Sequence, residues 1–457
     1  MATNRAFPAG QEPKHEVTKA LLKARGITYE VDAARGVLVL ATADELLVHT
    51  AAHERFPGLE AKLGSVARKV TRPEGFGNGD LELWRVNGRI TAANDSIVRA
   101  RQLVLAVDPH HHGVRVGAVN VPPVSPNHVC VVAPKYDVCP YDAPVAVPAA
   151  NPDYFGTAPG SGPQVVVIDT GYMTGIGHPL LDLRVTPVAG QWLDLDSQPP
   201  QIRLSPPDGL PAQPGTKLGS LVGHGTFIAG IVAHASKEAR ITAVGLRRDA
   251  VALTAANPLR LFASEFDVAS ALEQHAAADI VSCGFAFPTL GGLSSIAFAA
   301  AMTVLDGSKR PAAVVAPAGN EGVEVPFWPA AHPHVIGVAS SEQTGKRRAK
   351  FSNWGSWADC STRGERVRSA YVFWQTQKFD GWATWSGTSF AAPKVAAAIA
   401  SLVARSNLEP RQAFAELVKG WNANPPQLTG RTFNGVPLPD LGVVKSGLVS
   451  LPQLRLG

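Results

Sequence analysis

Cysteine is scarce in this chain of 457 residues, which has only Cys130, Cys139, Cys283 and Cys360. Four such widely spaced residues do not form a disulfide framework, and no two of them make a Cys-x-x-Cys pair. Cys130 and Cys139 could form a disulfide or stay reduced. We favour free, structural thiols for these two residues.

Concentrated charge and long apolar runs are also missing. Lys and Arg number 42 against 37 Asp and Glu, a net charge of +5. Nucleic-acid-binding proteins usually carry dense basic patches, so we expect no nucleic-acid partner. No run approaches the ~18–20 apolar residues of a membrane span, so we expect no membrane partner. Residues 1–16 lack the apolar segment of a secretory signal, which predicts a cytoplasmic protein.

Changes in composition divide the chain into three parts. Residues 1–133 carry a helical pattern at 17–22 and short extended runs, which predict a small α+β region. Residues 134–164 are rich in Pro, Ala, Gly and Asp and are typical of a linker. In residues 165–457, apolar runs alternate with Ala-rich helical stretches. This alternation predicts an α/β domain with a mostly parallel sheet and a site at the carboxyl ends of its strands.

The predicted elements follow from short apolar runs and their spacing. The N-terminal strand candidates are residues 27–31, 36–40, 81–86, 103–107 and 129–132. The strand candidates of the α/β domain are residues 165–168, 241–246, 280–282, 313–316 and 335–339. Its helix candidates are residues 264–278, 293–304 and 389–404.

Four polar residues stand at the ends of these elements. Asp169 ends an apolar strand, His224 opens a helix between two glycines, Asn320 follows a strand, and Ser389 precedes an Ala-rich helix. Each has an ordinary structural interpretation when taken alone. Ser389 in particular is a favourable helix N-cap, and Asn320 suits a tight turn.

Taken together, the four residues predict a catalytic site at one edge of the sheet. A serine hydroxyl is a weak nucleophile until a histidine takes its proton, and that histidine needs a carboxylate to fix its tautomer. Carbonyl attack creates an oxyanion, which an asparagine amide can stabilise. Asp169, His224, Ser389 and Asn320 supply these four functions.

The motifs around these residues resemble those of the subtilisin-like serine peptidases. DTG at Asp169, GHGT at His224 and GTSFAAP at Ser389 occur in the family's order Asp, His, Ser, and PAGN ending at Asn320 is similar to its oxyanion motif. The stretch FSNWGSWADCS at 351–361 is similar to a further family segment.

The resemblance implies a parallel sheet of about seven strands with helices on both faces, and peptide-bond hydrolysis through an acyl-enzyme. It implies that Ser389 is the nucleophile, His224 the general base and then acid, and Asp169 its orienting group. On this interpretation Ser389 also caps the helix that follows it, whose N-terminus favours developing negative charge. Asn320 and the Ser389 backbone N–H would bind the oxyanion. The strand Ser282, Cys283 and Gly284 would line the substrate cleft, and no cofactor or metal is implied.

The chain departs from the family pattern at several places. A Pro-rich insert at 197–215 separates Asp169 from His224 and is predicted to lie beside the cleft. Ser361–Gly364 replaces the usual Ala-Pro-Gly. Cys283 stands where the family is often aliphatic, and we interpret it as a small buried hydrophobe. The run at 110–112 is three histidines, which on a strand would point to alternate faces and not share one metal.

Two questions stay open at this level. Residues 1–133 could be a propeptide-like inhibitor or a retained regulatory or substrate-recruiting domain, and in either case we expect intramolecular regulation of the cleft. The predicted function is a serine endopeptidase acting on peptides or proteins. The alternative is a catalytically silent or ligase-like relative that binds peptides. The intact set of four residues disfavours the silent relative, whereas a ligase-like relative would use the same acyl-enzyme and is separated by product analysis.

Overall fold

The computed structural model defines the fold over most of the chain. It describes residues 22, 26–70, 80–132, 142–148, 152–156, 160–174, 178–188, 221–246, 262–345, 347–374 and 379–423. The predicted helical pattern at 17–21, the Pro-rich insert at 197–215 and Cys139 lie outside these residues. Cys130, Cys283 and Cys360 are free thiols.

An antiparallel sheet forms the body of the N-terminal region. Its strands are β1 (Ile27–Asp32), β2 (Val37–His49), β3 (Ala67–Lys69), β4 (Leu81–Val86) and β7 (Ser125–Val132), and β5 (Val114–Val116) with β6 (Val119–Val121) make a separate hairpin. Its helices are α1 (Ala51–Arg55), α2 (Leu59–Val66) and α3 (Ser96–Val107). The predicted small α+β region is therefore confirmed.

The predicted strand at 103–107 is wrong, because these residues are the last turns of α3. Asp95 caps this helix by accepting a hydrogen bond from the Val98 N–H at 3.0 Å. The buried side chains Ile97, Ala100 and Val104 follow the three-to-four-residue spacing of one helical face. The apolar run alone was too short to show that period, and the helix start lies upstream of it.

Seven parallel strands form the central sheet of the C-terminal domain. In spatial order they are β10 (Val185–Val188), β11 (Arg240–Gly245), β9 (Gln164–Asp169), β13 (Ile280–Cys283), β14 (Ala313–Pro317), β15 (Val335–Ser341) and β16 (Cys360–Arg363). The predicted parallel sheet is confirmed. Strands of this kind are buried on both faces, which explains why their sequences are continuously apolar.

Helices cover both faces of this sheet, also as predicted. They are α4 (Pro179–Asp182), α5 (His224–Ala235), α6 (Glu265–Gln274), α7 (Ile296–Asp306), α8 (Ala392–Arg405) and α9 (Pro410–Ala423). Val165 and Val167 of β9 pack in the cluster that contains α5 and α8. Val166 and Ile168 pack in the cluster that contains α6 and α7. Among the described residues, no helix is long and apolar enough to cross a bilayer.

The N-terminal sheet is joined to the C-terminal domain by a shared strand. The short strand β12 (Phe262–Ser264) leads into α6 and pairs antiparallel with β7. Ser264 then caps α6 in a reciprocal capping box with Asp267. Side chains of the N-terminal sheet, α6 and α7 belong to one continuous apolar core. The two regions are therefore packed together over a substantial surface.

The segment after the N-terminal region also lies on the C-terminal domain. Strand β8 (Val145–Ala146) pairs with β18 (Phe379–Trp385), which pairs in turn with β17 (Val367–Trp374). The Asp142 carbonyl accepts a hydrogen bond from Trp385 Nε1 at 2.6 Å. The domain boundaries at 133 and 164 stay a prediction, but residues 142–148 of the predicted linker are in contact with this small sheet.

Candidate active site

Asp169 and His224 form a buried pair at the carboxyl edge of the central sheet. Asp169 is the last residue of β9 and His224 is the first residue of α5. His224 Nδ1 lies 2.8 Å and 2.9 Å from the two carboxylate oxygens of Asp169, and both residues are 2% exposed. Thr170 Oγ1 also donates to Asp169 Oδ1 at 3.1 Å. The carboxylate therefore fixes the imidazole with its proton on Nδ1.

Two glycines permit this close approach. A Cβ on Gly225 would overlap the carbonyl oxygen of Gly171, and a Cβ on Gly284 would overlap the carboxylate of Asp169. The first glycine lets the start of α5 touch the loop after β9. The second lets the end of β13 pack directly against the Asp169 side chain. Only glycine provides that space.

Ser389 lies in a single 3₁₀ turn, Thr388–Phe390, ahead of α8. The helix itself starts at Ala392 and its N-cap is Ala391, so the prediction that Ser389 also caps this helix is wrong. Phe390 packs against His224, since the centroids of the two rings are 5.2 Å apart. The turn therefore brings the Ser389 segment against the imidazole.

The second imidazole nitrogen of His224 is available for proton transfer. Its Nε2 is buried and has no hydrogen-bond partner within the part of the chain that the structure describes. The Trp385 ring meets the imidazole edge to face at 5.5 Å, and Phe390 covers it from another side. The two rings therefore pack against an imidazole whose buried Nε2, with Nδ1 protonated, carries a basic lone pair.

Asn320 is connected to the residue before Ser389. Its Oδ1 accepts hydrogen bonds from the Thr388 backbone N–H at 2.8 Å and from Thr388 Oγ1 at 2.9 Å. Thr388 Oγ1 in turn accepts from the Gly319 N–H at 3.1 Å. Because the amide oxygen is held in this way, the Asn320 Nδ2 group is the end left to bind an anion. Thr388 lies inside the GTS motif, but the motif alone indicates no role for it.

Asn353 fixes the backbone of residues 319–323, called the oxyanion loop below. Its side-chain oxygen accepts from the Glu321 N–H at 2.9 Å and the Val323 N–H at 3.3 Å, and its backbone N–H donates to the Gly319 carbonyl at 3.0 Å. Asn353 is fully buried. It lies in the FSN stretch, which was noticed in the sequence without a role for this residue.

The carboxyl of Glu321 lies next to Asn320. Its Oε2 accepts from the Asn320 backbone N–H at 2.8 Å and from Asn353 Nδ2 at 2.9 Å. Burial raises the pKa of Glu321 to about 7, although these hydrogen bonds act in the opposite direction. The group thus holds the loop and carries little negative charge beside the anion site below neutral pH.

The predicted cleft residues lie at the end of β13, beside β9: Ser282 and Cys283 belong to the strand, and Gly284 follows it. Cys283 is opposite Ile168 in the register, and Gly284 donates a backbone hydrogen bond to the Ile168 carbonyl at 3.1 Å. Ser282 and Cys283 are fully buried. Burial, together with the charge of Asp169, raises the pKa of the Cys283 thiol. A thiol with a raised pKa is a poor nucleophile, which agrees with a structural role.

The described residues contain no group of three or more His, Cys, Asp or Glu side chains placed to hold a metal ion. His110 and His112 lie near each other, with ring centroids 5.6 Å apart, but they form no such group.

Comparison with known proteins places the chain in a family. The subtilase family, Peptidase S8, matches residues 160–430, more than half of the chain. The chain belongs to this family. The match includes Asp169, His224, Asn320 and Ser389, and it leaves out the N-terminal sheet.

Individual relatives cover different shares of the chain. Thermitase of Thermoactinomyces vulgaris is 30% identical over 264 residues, which are 55% of this chain and 78% of thermitase. A thermophilic serine proteinase of Bacillus sp. strain AK1 is 38% identical over 105 residues, which are 22% of this chain and 24% of that protein. The chain therefore spans about a quarter of the length of the second relative.

A solved structure supports the fold. Fervidolysin from Fervidobacterium pennivorans, described as a keratinolytic enzyme related to subtilisin, matches with a TM-score of 0.52 at 19% identity. The match covers 88% of this chain and 60% of fervidolysin. At this identity the likeness concerns the subtilisin-like fold, which agrees with the parallel sheet described above.

Proposed function

We propose that the protein is a serine endopeptidase that hydrolyses peptide bonds in peptides or proteins through an acyl-enzyme. The observation that carries this proposal is the buried Asp169–His224 pair, with the imidazole packed against the Ser389 turn, in a member of the subtilase family. A buried carboxylate–histidine pair of this kind is what activates a neighbouring serine.

In the proposed reaction Ser389 Oγ attacks the substrate carbonyl while His224 Nε2 takes its proton. The Asp169 carboxylate keeps Nδ1 protonated and stabilises the imidazolium that forms. Asn320 Nδ2 and the Ser389 backbone N–H receive the oxyanion. His224 then gives its proton to the leaving amine, and water releases the acyl group by the same route in reverse order.

A fluorophosphonate probe tests the nucleophile directly. We expect it to label the folded wild type at Ser389, as identified by peptide mapping, and to leave His224→Ala almost unlabelled. Cleavage of a peptide library should follow the same pattern. An adduct that is missing from Ser389, or labelling that persists unchanged in His224→Ala, contradicts the proposal. Product analysis with an added amine separates hydrolysis from a ligase-like transfer.

We further propose that the N-terminal region regulates access to the cleft. Strand β12 can pair with an extended peptide, and β7 is the strand that pairs with it here. His128 of β7 accepts a hydrogen bond at Nε2 from the Leu290 N–H at 3.0 Å. Leu290 belongs to the loop that continues from the predicted cleft strand at Ser282–Gly284. An extended substrate would compete with β7 for this edge.

Comparing a small reagent with a long peptide substrate tests this regulation. The small fluorophosphonate needs only the activated Ser389 and its base His224, whereas a long peptide also needs the β12 edge. We expect the full chain to react with the probe quickly and to bind a long peptide weakly, with a high KM. A fragment of residues 142–457 should bind the long peptide with a lower KM, and adding residues 1–133 should reverse the change. An unchanged KM contradicts the regulatory role.

A further inference from the structure

The oxyanion loop has contacts on a side that the catalytic residues do not use. Thr388 and Asn353 hold it from within the C-terminal domain. Beyond the loop, Val325 and Phe327 are buried in a small apolar cluster whose third member is Val37 of the N-terminal region. Val37 is 1% exposed and Phe327 is 1% exposed. Val323, inside the loop, packs against the same cluster.

Phe327 also packs against Gly319, the residue before Asn320. A Cβ on Gly319 would lie 2.8 Å from Cδ2 of Phe327, so the ring lies directly against the Gly319 backbone. Gly319 has φ +102, a conformation that side chains rarely adopt, and its N–H is the one that donates to Thr388. Packed side chains therefore connect Val37, through the cluster that contains Val325 and Phe327, to Gly319, the residue before Asn320.

The turn of the hairpin that carries Val37 is held by hydrogen bonds and an ion pair. In the turn between β1 and β2, the Asp32 carbonyl accepts from the Gly36 N–H at 2.8 Å, and Asp32 Oδ1 accepts from the Arg35 N–H at 3.1 Å. Arg35 also forms an ion pair with Asp32. Gly36 at the tip approaches Cγ1 of Val323, which would lie 3.9 Å from a Cβ placed there.

We propose that Val37 is a positioning residue, and that the β1–β2 hairpin braces the oxyanion loop of the peptidase. The hairpin lies outside residues 160–430, so this part of the catalytic apparatus is supplied by a region that the family match does not include. The inference rests on the proposed peptidase activity. It gives the N-terminal region a second role, because the same region covers the β12 edge and supports the oxyanion site.

The brace should affect turnover and not substrate affinity. The oxyanion forms only after attack, so loosening its donor weakens the transition state more than the ground state. We expect Val37→Ala to lower kcat about tenfold with KM within about twofold, a smaller loss than the ~10²–10³ of removing an oxyanion donor. Val37→Ile keeps an apolar side chain and should restore most of kcat.

Val48→Ala is the matched control in the full chain. Val48 lies on the same strand and is also fully buried, but it packs in the main core and outside the Val37 cluster. Val48→Ala should lower the free energy of unfolding about as much as Val37→Ala does, and it should leave kcat unchanged. Val325→Ala removes the contact from the other side and should reproduce the kcat loss. The double variant with Val37→Ala should lose no more than either single one.

A second readout is independent of activity. In a Ser389→Ala background, backbone amide exchange over residues 318–327 should be faster in Val37→Ala than in Val48→Ala. Equal exchange and equal kcat in these two variants overturn the brace. If the wild type shows no labelling at Ser389, the peptidase proposal fails by itself, and the exchange experiment still decides whether the hairpin holds the loop.

Discussion

Two buried carboxylate–histidine pairs in this molecule look alike and differ in one contact. His224 Nδ1 lies 2.8 Å from Asp169, and His128 Nδ1 lies 2.6 Å from Glu265. Both imidazoles are 2% exposed. The Nε2 of His128 accepts a backbone N–H from Leu290, whereas the Nε2 of His224 has no partner among the described residues. The two pairs therefore differ in whether the imidazole Nε2 has a hydrogen-bond partner in the described part of the chain.

The hydrogen bonding of Nε2 determines whether a histidine can act as a general base. A carboxylate on Nδ1 fixes the tautomer in both cases, but only an uncommitted Nε2 can take a proton from a serine. In His128 that lone pair is already used to hold the loop after the cleft strand. The Glu265–His128 pair therefore ties the N-terminal region to the C-terminal domain, while the Asp169–His224 pair is left able to do chemistry.

Alanine variants of the two histidines give the strongest test of this contrast. We expect His224→Ala to lower kcat by about 10⁶, the magnitude found in subtilisin of the same family, because no base remains. Because the Asp169 carboxylate is then left buried, this variant should also lose thermal stability. His128→Ala should lose stability in the same way but keep most of its kcat, so kcat is the readout that separates the two pairs. Peptide kinetics and thermal unfolding of both variants measure this, and equal losses of activity would remove the distinction.

The second prediction concerns the stability of the interface pair. Removing His128 leaves the carboxylate of Glu265 buried, which typically costs about 3–5 kcal/mol. His128→Ala in the Ser389→Ala background should therefore unfold at clearly lower urea. His128→Asn is the matched control, since its amide can donate near the position of Nδ1 and should lose less. If both variants are as stable as the parent, the pair does not hold the two regions together.

The third prediction tests the anion site beside the catalytic pair. Asn320→Ala removes the Nδ2 donor and should lower kcat by about 10²–10³ with KM little changed, a magnitude known for the corresponding donor of subtilisin. The fold should remain intact. If Asn320 only shaped its turn, the variant would lose thermal stability and keep a kcat within about threefold of wild type, well short of that range.

The fourth prediction has the smallest expected effect and concerns the buried amino group of Lys394. Unlike the two carboxylate–histidine pairs, this group has a backbone carbonyl as its hydrogen-bond partner. Lys394 Nζ donates to the Arg363 carbonyl at 2.7 Å and is 8% exposed. Burial, with a further contribution from the charge of Arg363, lowers the pKa of Lys394 from 10.5 to about 7. Between these values the unfolded chain binds the extra proton, so the free energy of unfolding should rise with pH across this window.

Lys394→Met measures that contribution. The lysine adds a slope of at most about 1.4 kcal/mol per pH unit, and the variant should lack it while being more stable near pH 7. Urea unfolding of both proteins at several pH values within the window, in the Ser389→Ala background, gives the difference. Parallel stability curves for the two proteins would show that Lys394 keeps its proton in the folded state.

The sequence predicted the part of the fold and site that depends on local signals. The continuously apolar strands identified the parallel sheet, and the motifs around Asp169, His224, Asn320 and Ser389 identified the family. The N-cap assignment of Ser389 failed because a 3₁₀ turn intervenes before α8. The strand predicted at 103–107 was wrong because α3 starts at Ser96, upstream of this short apolar run.

What the sequence by itself determined is the set of reactive groups and the elements that carry them. Each of those residues sits where a strand or helix ends, so short stretches are enough to find it. What only the tertiary structure decided is the partner of each group. Thr388 meets Asn320 across 68 residues and His128 meets Glu265 across 137. Such contacts arise from packing between distant segments, which no local pattern encodes, and they determine which histidine can act as a base.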